Sequence, residues 1–304
     1  MKTTLMHWIT AFRLRTLPLA FSSILMGTSV ALREGMFDPL IFALALLTTL
    51  FLQILSNLAN DYGDANSGVD SEDRMGPSRT VQSGLISKAK MKNALYVFAI
   101  LSFVSGVSML LYVFPKDWQM LIFFLLLGAS AIWAAIKYTV GDKPYGYAGF
   151  GDVFVLLFFG IVGVIGTYYL FTKSYHHQLI LPAFGSGLLA VGVLNINNIR
   201  DIESDEAAGK RSIPVRLGKQ RATIYHFLLL SNAMAALLIF SLTNELPVWS
   251  YTFLLVTPLF MINAKAVHNL EGKALDPYLK QLAISILILT FMFGIGINLP
   301  VWLK

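Results

Sequence analysis

The sequence predicts an all-α integral membrane protein, a bundle of nine transmembrane helices with a cytoplasmic N-terminus, and three observations carry that prediction. The chain of 304 residues is 56% hydrophobic and only 13% charged, with a mean hydropathy of +0.66, too apolar and charge-poor for a water-soluble domain. Charge-free runs long enough to cross a hydrocarbon core, which takes about 20 helical residues, recur along the whole chain. Its basic residues are concentrated in alternate loops. In lipid the backbone of such runs must satisfy itself, which makes them helices, whereas a barrel would show short alternating segments. One polytopic domain, 1–304, is therefore expected.

The first run, 16–32, follows Arg13 and Arg15 as a signal sequence would, but with eight more runs behind it the segment is retained as span 1. Span 2, 39–60, contains FALALLTTLFLQILS and ends abruptly in NLANDYGDANSGVD. Spans 3 (93–115) and 4 (118–136) are separated by a very short loop. Span 5 (153–172) and span 6 (178–199) follow a Gly- and Tyr-rich segment, and spans 7 (222–244), 8 (246–264) and 9 (281–303) complete the series. Trp118, Trp249 and Trp302 stand at span ends on one side, where an interfacial aromatic belt belongs.

Orientation follows from the positive-inside rule. With the N-terminus inside, 19 of the 23 Lys and Arg residues fall in the N-terminal segment and the inner loops. Only Arg33, Lys116, Lys173 and Lys304 fall outside, and the C-terminus lies on the far side. The net charge of +6 is thus explained by orientation and attraction to anionic lipid, so the expected partner is the bilayer and no nucleic acid. The chain has no cysteine, so neither disulfides nor thiol chemistry are available.

Two long inner stretches, 61–92 and 200–221, are rich in Asp, Arg, Gly and Ser, and loops of this kind usually carry function. They resemble each other. Spans 2 and 6 both end in Asn-x-x-x-Asp (Asn60 and Asp64, Asn197 and Asp201), and Arg79-Thr80-Val81 has a counterpart in Arg211-Ser212-Ile213, which suggests a parallel repeat. On a helix Asn57, Asn60, Asp61 and Asp64 share a face, as do Asn197, Asn198, Asp201 and Asp205. Oxygen-only ligand sets without nearby His or Cys select hard cations, Mg²⁺ above all where carboxylates share the ion with phosphate. Arg74, Arg79, Lys210 and Arg211 suit the phosphate itself. Together these residues describe a diphosphate site at the membrane surface. Solvation of an inner loop explains Asp70, Glu72, Asp73 and Glu206 equally well, but explains poorly the acids spaced along membrane helix ends.

NDYGDANSGVD (60–70), RMGPSR (74–79), YTVGDKPYGYAGFGDVFVLLFFG (138–160) and NNIRDIESDEAAGKRSIPVRLG (197–218) resemble the signatures of the UbiA superfamily of intramembrane prenyltransferases. Within it, Asp-Tyr-Gly-Asp followed by Gly-Val-Asp, and Pro-Tyr-Gly-Tyr with Gly-Asp behind it, are most similar to the branch that prenylates 1,4-dihydroxy-2-naphthoate in menaquinone synthesis. The resemblance runs from AFRLRTLPLA (11–20) onward. It implies a polyprenyl diphosphate donor, an aromatic acceptor whose carboxylate leaves as carbon dioxide, two Mg²⁺ ions, and a place in the cytoplasmic membrane of a bacterium with the active site facing the cytoplasm. Carried over by position, it puts Asn60 and Asp64 on one ion with Asp61 and Asp70 nearby, and Asp201 and Asp205 on the other, beside Asn197. Arg79, Lys143 and Lys210 fall on the diphosphate with Arg211 at its rim and Asn57 on the same helix face, while Tyr138 and Tyr145 line the acceptor side. Arg13 is left out, because Leu14 stands where the family often has proline. His7 and His226 receive no role. Two readings compete: a prenyltransferase for another acceptor (4-hydroxybenzoate, a tetrapyrrole or a glycerol phosphate), and a cation-coupled secondary transporter, which would place its acids nearer the midplane.

Overall fold

The computed structural model describes residues 2–67 and 79–303. Among them nine helices are long and apolar enough to cross a membrane: Leu5–Arg33, Pro39–Asn66, Lys88–Val113, Trp118–Lys137, Gly151–Thr172, His177–Arg200, Lys219–Thr243, Val248–Asn269 and Gly272–Leu299, called spans 1 to 9. No strand occurs among the described residues.

Each expected run falls on one helix, overrunning its ends by at most two residues, and the larger departures have local causes. Span 1 starts earlier, with a helix Lys2–Phe12 that breaks at Arg13 (φ 49°) and resumes through a tight 3₁₀ turn, Leu14–Thr16, into Leu17–Arg33. Pro18, in the first turn of that second piece, lacks only an N–H that the helix leaves unused there. Span 2 runs past its apolar stretch to Ser67, so Asn57 to Asp64 stand on a continuing helix rather than in a loop. Gly63 lets that extension dock: a Cβ on it would lie 2.5 Å from the Thr139 carbonyl oxygen. Span 8 opens as a 3₁₀ run, Val248–Val256, before the helix Thr257–Asn269, since Pro258 has no N–H to give the preceding turn.

Span 6 is the axis of the bundle. Two-thirds of its apolar window (67%) is buried, against 61% for span 9 and 6% for span 4. Span 1 packs against spans 2, 5, 6 and 9, and span 6 against spans 5 and 7. The main core (Met26, Tyr168, Leu189, Leu237, Phe253, Phe293) draws on spans 1 and 5 to 9. Lipid tails are as apolar as these side chains, so close approach of backbones, not burial from water, holds such helices together. Residues Leu156–Gly166 of span 5 form a π-helix; a Cβ on Gly160 would lie 2.6 Å from the Ala183 carbonyl oxygen, and one on Gly163 2.8 Å from Ser23 Cβ. Glycine is what lets spans 1, 5 and 6 meet.

A polar chain ties spans 7, 8 and 9. His226 Nε2 meets Asn263 Oδ1 at 3.0 Å, Asn263 Nδ2 donates to the Tyr278 carbonyl at 2.9 Å, and Gln281 Nε2 donates to Ser285 Oγ at 3.0 Å. Polar side chains in the hydrocarbon region need partners, and His226 finds its own here.

Candidate functional site

The Asp-rich ends of spans 2 and 6 lie on the same side of the bundle as the segment 138–150, which joins span 4 to span 5 and connects the two. Asp64 is buried, accepts a 2.5 Å hydrogen bond from the Tyr147 hydroxyl and is ion-paired with the buried Arg79. Asp61 Oδ2 accepts from the Thr80 backbone N–H (3.1 Å) and hydroxyl (2.6 Å), while its buried Oδ1 has no hydrogen-bond partner among the described residues. Asn60 Oδ1 accepts from the Thr139 hydroxyl at 3.2 Å. Asn57 turns the other way and donates to Phe12 O and Thr16 Oγ1, both at 3.0 Å. The face that the helical spacing predicts therefore fans out to three different segments, because the neighbours of span 2 differ from turn to turn.

The end of span 6 is organised more locally. Arg200 clamps Asp201 through Nε (2.9 Å) and Nη2 (2.7 Å), and also holds Asn197 Oδ1 (2.8 Å) and Asp276 Oδ1 (2.7 Å). Asp205, on the short helix Ile202–Ala207, accepts from Lys210 Nζ at 3.0 Å. Burial lifts the Asp205 carboxyl above the usual carboxylate range, with Lys210 pulling the other way. Lys210 Nζ also lies 4.9 Å from the centroid of the Tyr147 ring, a cation–π distance. Tyr147 thus touches Asp64 through its hydroxyl and Lys210 through its face, joining the two halves.

The connecting segment is seated by backbone. Arg211 N–H donates to Tyr147 O at 2.8 Å, and Arg216 Nη2 donates to Ala148 O at 2.6 Å. Gly149 has a φ of 82°, and a Cβ there would stand 2.6 Å from Arg211 O, so only glycine fits. The Tyr138 ring lies against Gly146 and Gly151. Burial, then the charges of Asp205, Asp152 and Asp64, hold its phenol well above the usual tyrosine range, so it stays protonated. Tyr145 stacks on Phe154 at 4.0 Å, faces Trp133 and Tyr138, and gives its hydroxyl to Ala134 O at 2.8 Å. Burial raises its phenol too. Asp152, at the start of span 5, accepts from the Tyr225 hydroxyl at 2.8 Å.

Asn60, Asp64, Arg79, Tyr138, Tyr145, Asn197, Asp201, Asp205 and Lys210 all belong to this end of the bundle. Lys143 and the Arg211 side chain are exposed on its rim, and Asn57 points into the N-terminal helix. Asp70 and Arg74, with Glu72 and Asp73, lie outside the described residues. Sequence reasoning passed over Tyr147, Arg200 and Asp152; their signals were a tyrosine two residues from Tyr145, an arginine inside NNIRD, and an aspartate closing Gly-Phe-Gly-Asp.

Among the described residues no three His, Cys, Asp or Glu side chains converge into a cage for a metal. That suits Mg²⁺, which is commonly held by one or two carboxylates together with substrate phosphates. The donors are all oxygen, and the unpartnered Asp61 Oδ1 is a buried acceptor that a cation would satisfy.

The model of the UbiA prenyltransferase family matches residues 20–284. The 1,4-dihydroxy-2-naphthoate octaprenyltransferase of Escherichia coli (strain K12) is 45% identical over 97% of this chain and 96% of its own length. The enzyme of the same name from Mycobacterium tuberculosis is 34% identical over 93% of each. Among solved structures, a UbiA homolog from Aeropyrum pernix K1 superposes with a TM-score of 0.69 at 17% identity, covering 95% of this chain and 98% of that one. A homolog from Archaeoglobus fulgidus bound to GPP and Mg²⁺ gives 0.59 at 18% identity, over 94% and 99%.

Proposed function

The chain belongs to the UbiA prenyltransferase family, and we propose how its residues carry out that family's reaction. The protein is a prenyltransferase: it moves a polyprenyl group from a polyprenyl diphosphate to 1,4-dihydroxy-2-naphthoate, with loss of diphosphate and carbon dioxide, in menaquinone synthesis. The site reading rests above all on the pairing of cations with acids at the two helix ends, Arg79 on Asp64 and Lys210 on Asp205.

A diphosphate arriving with Mg²⁺ brings each partner something better. Arg79 and Lys210 turn to phosphate oxygens, Arg79 offering two parallel donors and Lys210 a point charge. Asp64 with Asn60 and Asp61 is then left to hold one ion and Asp201 and Asp205 with Asn197 the other, and Asp70 joins the first set by its matching position. An Mg²⁺ ion held by these residues would supply positive charge to offset the negative charge that grows on the diphosphate as the allylic C–O bond breaks. The faces of Tyr138 and Tyr145, with Trp133 and Phe154, border the allylic carbon and the acceptor ring and keep water away from a cation it would quench. Lys143 and Arg211 draw the anionic donor to the rim. This end of the bundle faces the cytoplasm, in keeping with the basic residues of its loops, and the prenyl tail stays in the bilayer.

The test is pyrophosphate release by the detergent-purified protein given a polyprenyl diphosphate, with and without 1,4-dihydroxy-2-naphthoate and with and without Mg²⁺. Release that requires all three is expected, with carbon dioxide and a prenylated naphthoquinol as products. Release only with a different ring would overturn the acceptor, and ion-coupled flux in proteoliposomes without release would favour a transporter.

A further inference from the structure

The half-buried Asp152 differs from the three acids of this end that are paired with cations. Asp64, Asp201 and Asp205 each hold an arginine or a lysine, whereas Asp152 has a neutral partner, the Tyr225 hydroxyl reaching over from span 7 at 2.8 Å, and no cation among the described residues. A carboxylate already paired with a cation is a weak proton acceptor; one steadied by a single phenol keeps its charge and its basicity. Its place is as telling. A Cβ on the adjacent Gly151 would lie 3.3 Å from Tyr138 Oη and 3.2 Å from Leu194 Cδ2, so the start of span 5 lies against the Tyr138 ring. The Tyr138 hydroxyl feels Asp205 and Asp64 as well as Asp152. An acceptor ring lying along Tyr138 thus lies against the start of span 5, one residue from Asp152.

We infer that Asp152 is a catalytic residue on the acceptor side, a general base for the hydroxyl next to the carbon under attack, held in place by Tyr225. The inference rests on the naphthoate reading above. As the donor's C–O bond breaks, its electron pair leaves with the diphosphate. The ring's carboxylate-bearing carbon forms the new bond to the allylic carbon, the neighbouring hydroxyl becomes a carbonyl, and its proton passes to Asp152. The bond to the carboxylate then breaks, carbon dioxide leaves, the electron pair restores the ring, and Asp152 returns the proton to the oxygen. Proton and electrons balance with no further reactant.

The experiment compares wild type and Asp152→Asn on two acceptors, 1,4-dihydroxy-2-naphthoate and its 1-methoxy ether, which has no proton to give at that oxygen. Asp152→Asn keeps the size of the side chain and an acceptor for Tyr225. On the dihydroxy acceptor its kcat is expected to fall about 10²–10⁴-fold, with unchanged Mg²⁺-dependent affinity for the prenyl diphosphate. On the ether the two proteins should turn over at one common slow rate. Asp152→Asn within a few-fold of wild type on the dihydroxy acceptor would overturn the inference, as would an equal loss on both acceptors, which marks a structural role. Should the variant fail to fold, wild type decides alone: equal kcat on the two acceptors overturns the inference. No turnover of 1,4-dihydroxy-2-naphthoate by wild type would overturn the acceptor assignment, and this inference with it.

Discussion

The ends of spans 2 and 6 carry the same short pattern, Asn-x-x-x-Asp, yet they are assembled in opposite ways. At span 6 the partners are near in sequence: Arg200 holds Asp201 next to it and Lys210 holds Asp205 five residues before it. At span 2 they come from far away, Thr80 to Asp61 across 19 residues and Tyr147 to Asp64 across 83. The apparent repeat carries this difference too. Arg79 is buried against Asp64 while its counterpart Arg211 is exposed; Thr80 holds Asp61 while the Ser212 hydroxyl is buried without a partner among the described residues. A duplicated pattern preserves the acids, whereas their partners depend on what packs nearby.

The largest expected effect tests whether two differently built ends make one site. Asp64→Ala and Asp201→Ala should each lower prenyl transfer by about 10²–10³-fold or more, with the protein still inserted and folded, as read by pyrophosphate release and detergent gel filtration. Near-normal turnover in either variant would break the comparison by leaving one end idle.

Arg200→Ala comes next, because it removes the cation of the locally built end. Breaking a buried pair costs about 3–5 kcal/mol, here by stranding Asp201, and thermal unfolding in detergent should show it. An unchanged melting temperature would mean that the span 6 end does not depend on its own arginine.

Tyr147→Phe sharpens the contrast, since it cuts the span 2 end from its far partner while leaving the aromatic face to Lys210. A hydrogen bond to a charged group is worth roughly 1.5–3 kcal/mol. Mg²⁺-dependent affinity for a non-hydrolysable prenyl diphosphate should weaken by about 10- to 100-fold; an unaltered affinity would remove Tyr147 as the link. The smallest effect belongs to the exposed Lys143: Lys143→Met should change kcat/KM by less than about 5-fold, the scale of an exposed charge interaction, and a larger loss would place it against the diphosphate.

The same contrast explains what could be read in advance. Every expected span was legible, because long charge-free runs have few alternatives in lipid, and so were Asp201, Asp205 and Lys210, whose partners lie within one or two helical turns. Tyr147 was not: its two contacts depend on three segments meeting, and in isolation it reads as an interfacial tyrosine. Asn57 misled for the same reason. Helical spacing correctly puts it on the face of Asp64 but says nothing about the N-terminal helix, which takes its amide. The overrun of span 2 to Ser67 was hidden by polarity, since hydropathy sees where lipid stops and not where a helix does.

The seat of Tyr147 between Asp64 and Lys210 also sets a schedule for biogenesis. Chain growth runs at about 5–20 residues per second, so the span 2 acids emerge roughly seven to thirty seconds before Lys210 leaves the ribosome. Through that interval the nascent chain holds half a substrate site, with the bridge still lacking its second anchor. The bridge between the two helix ends therefore closes only after six spans have been made.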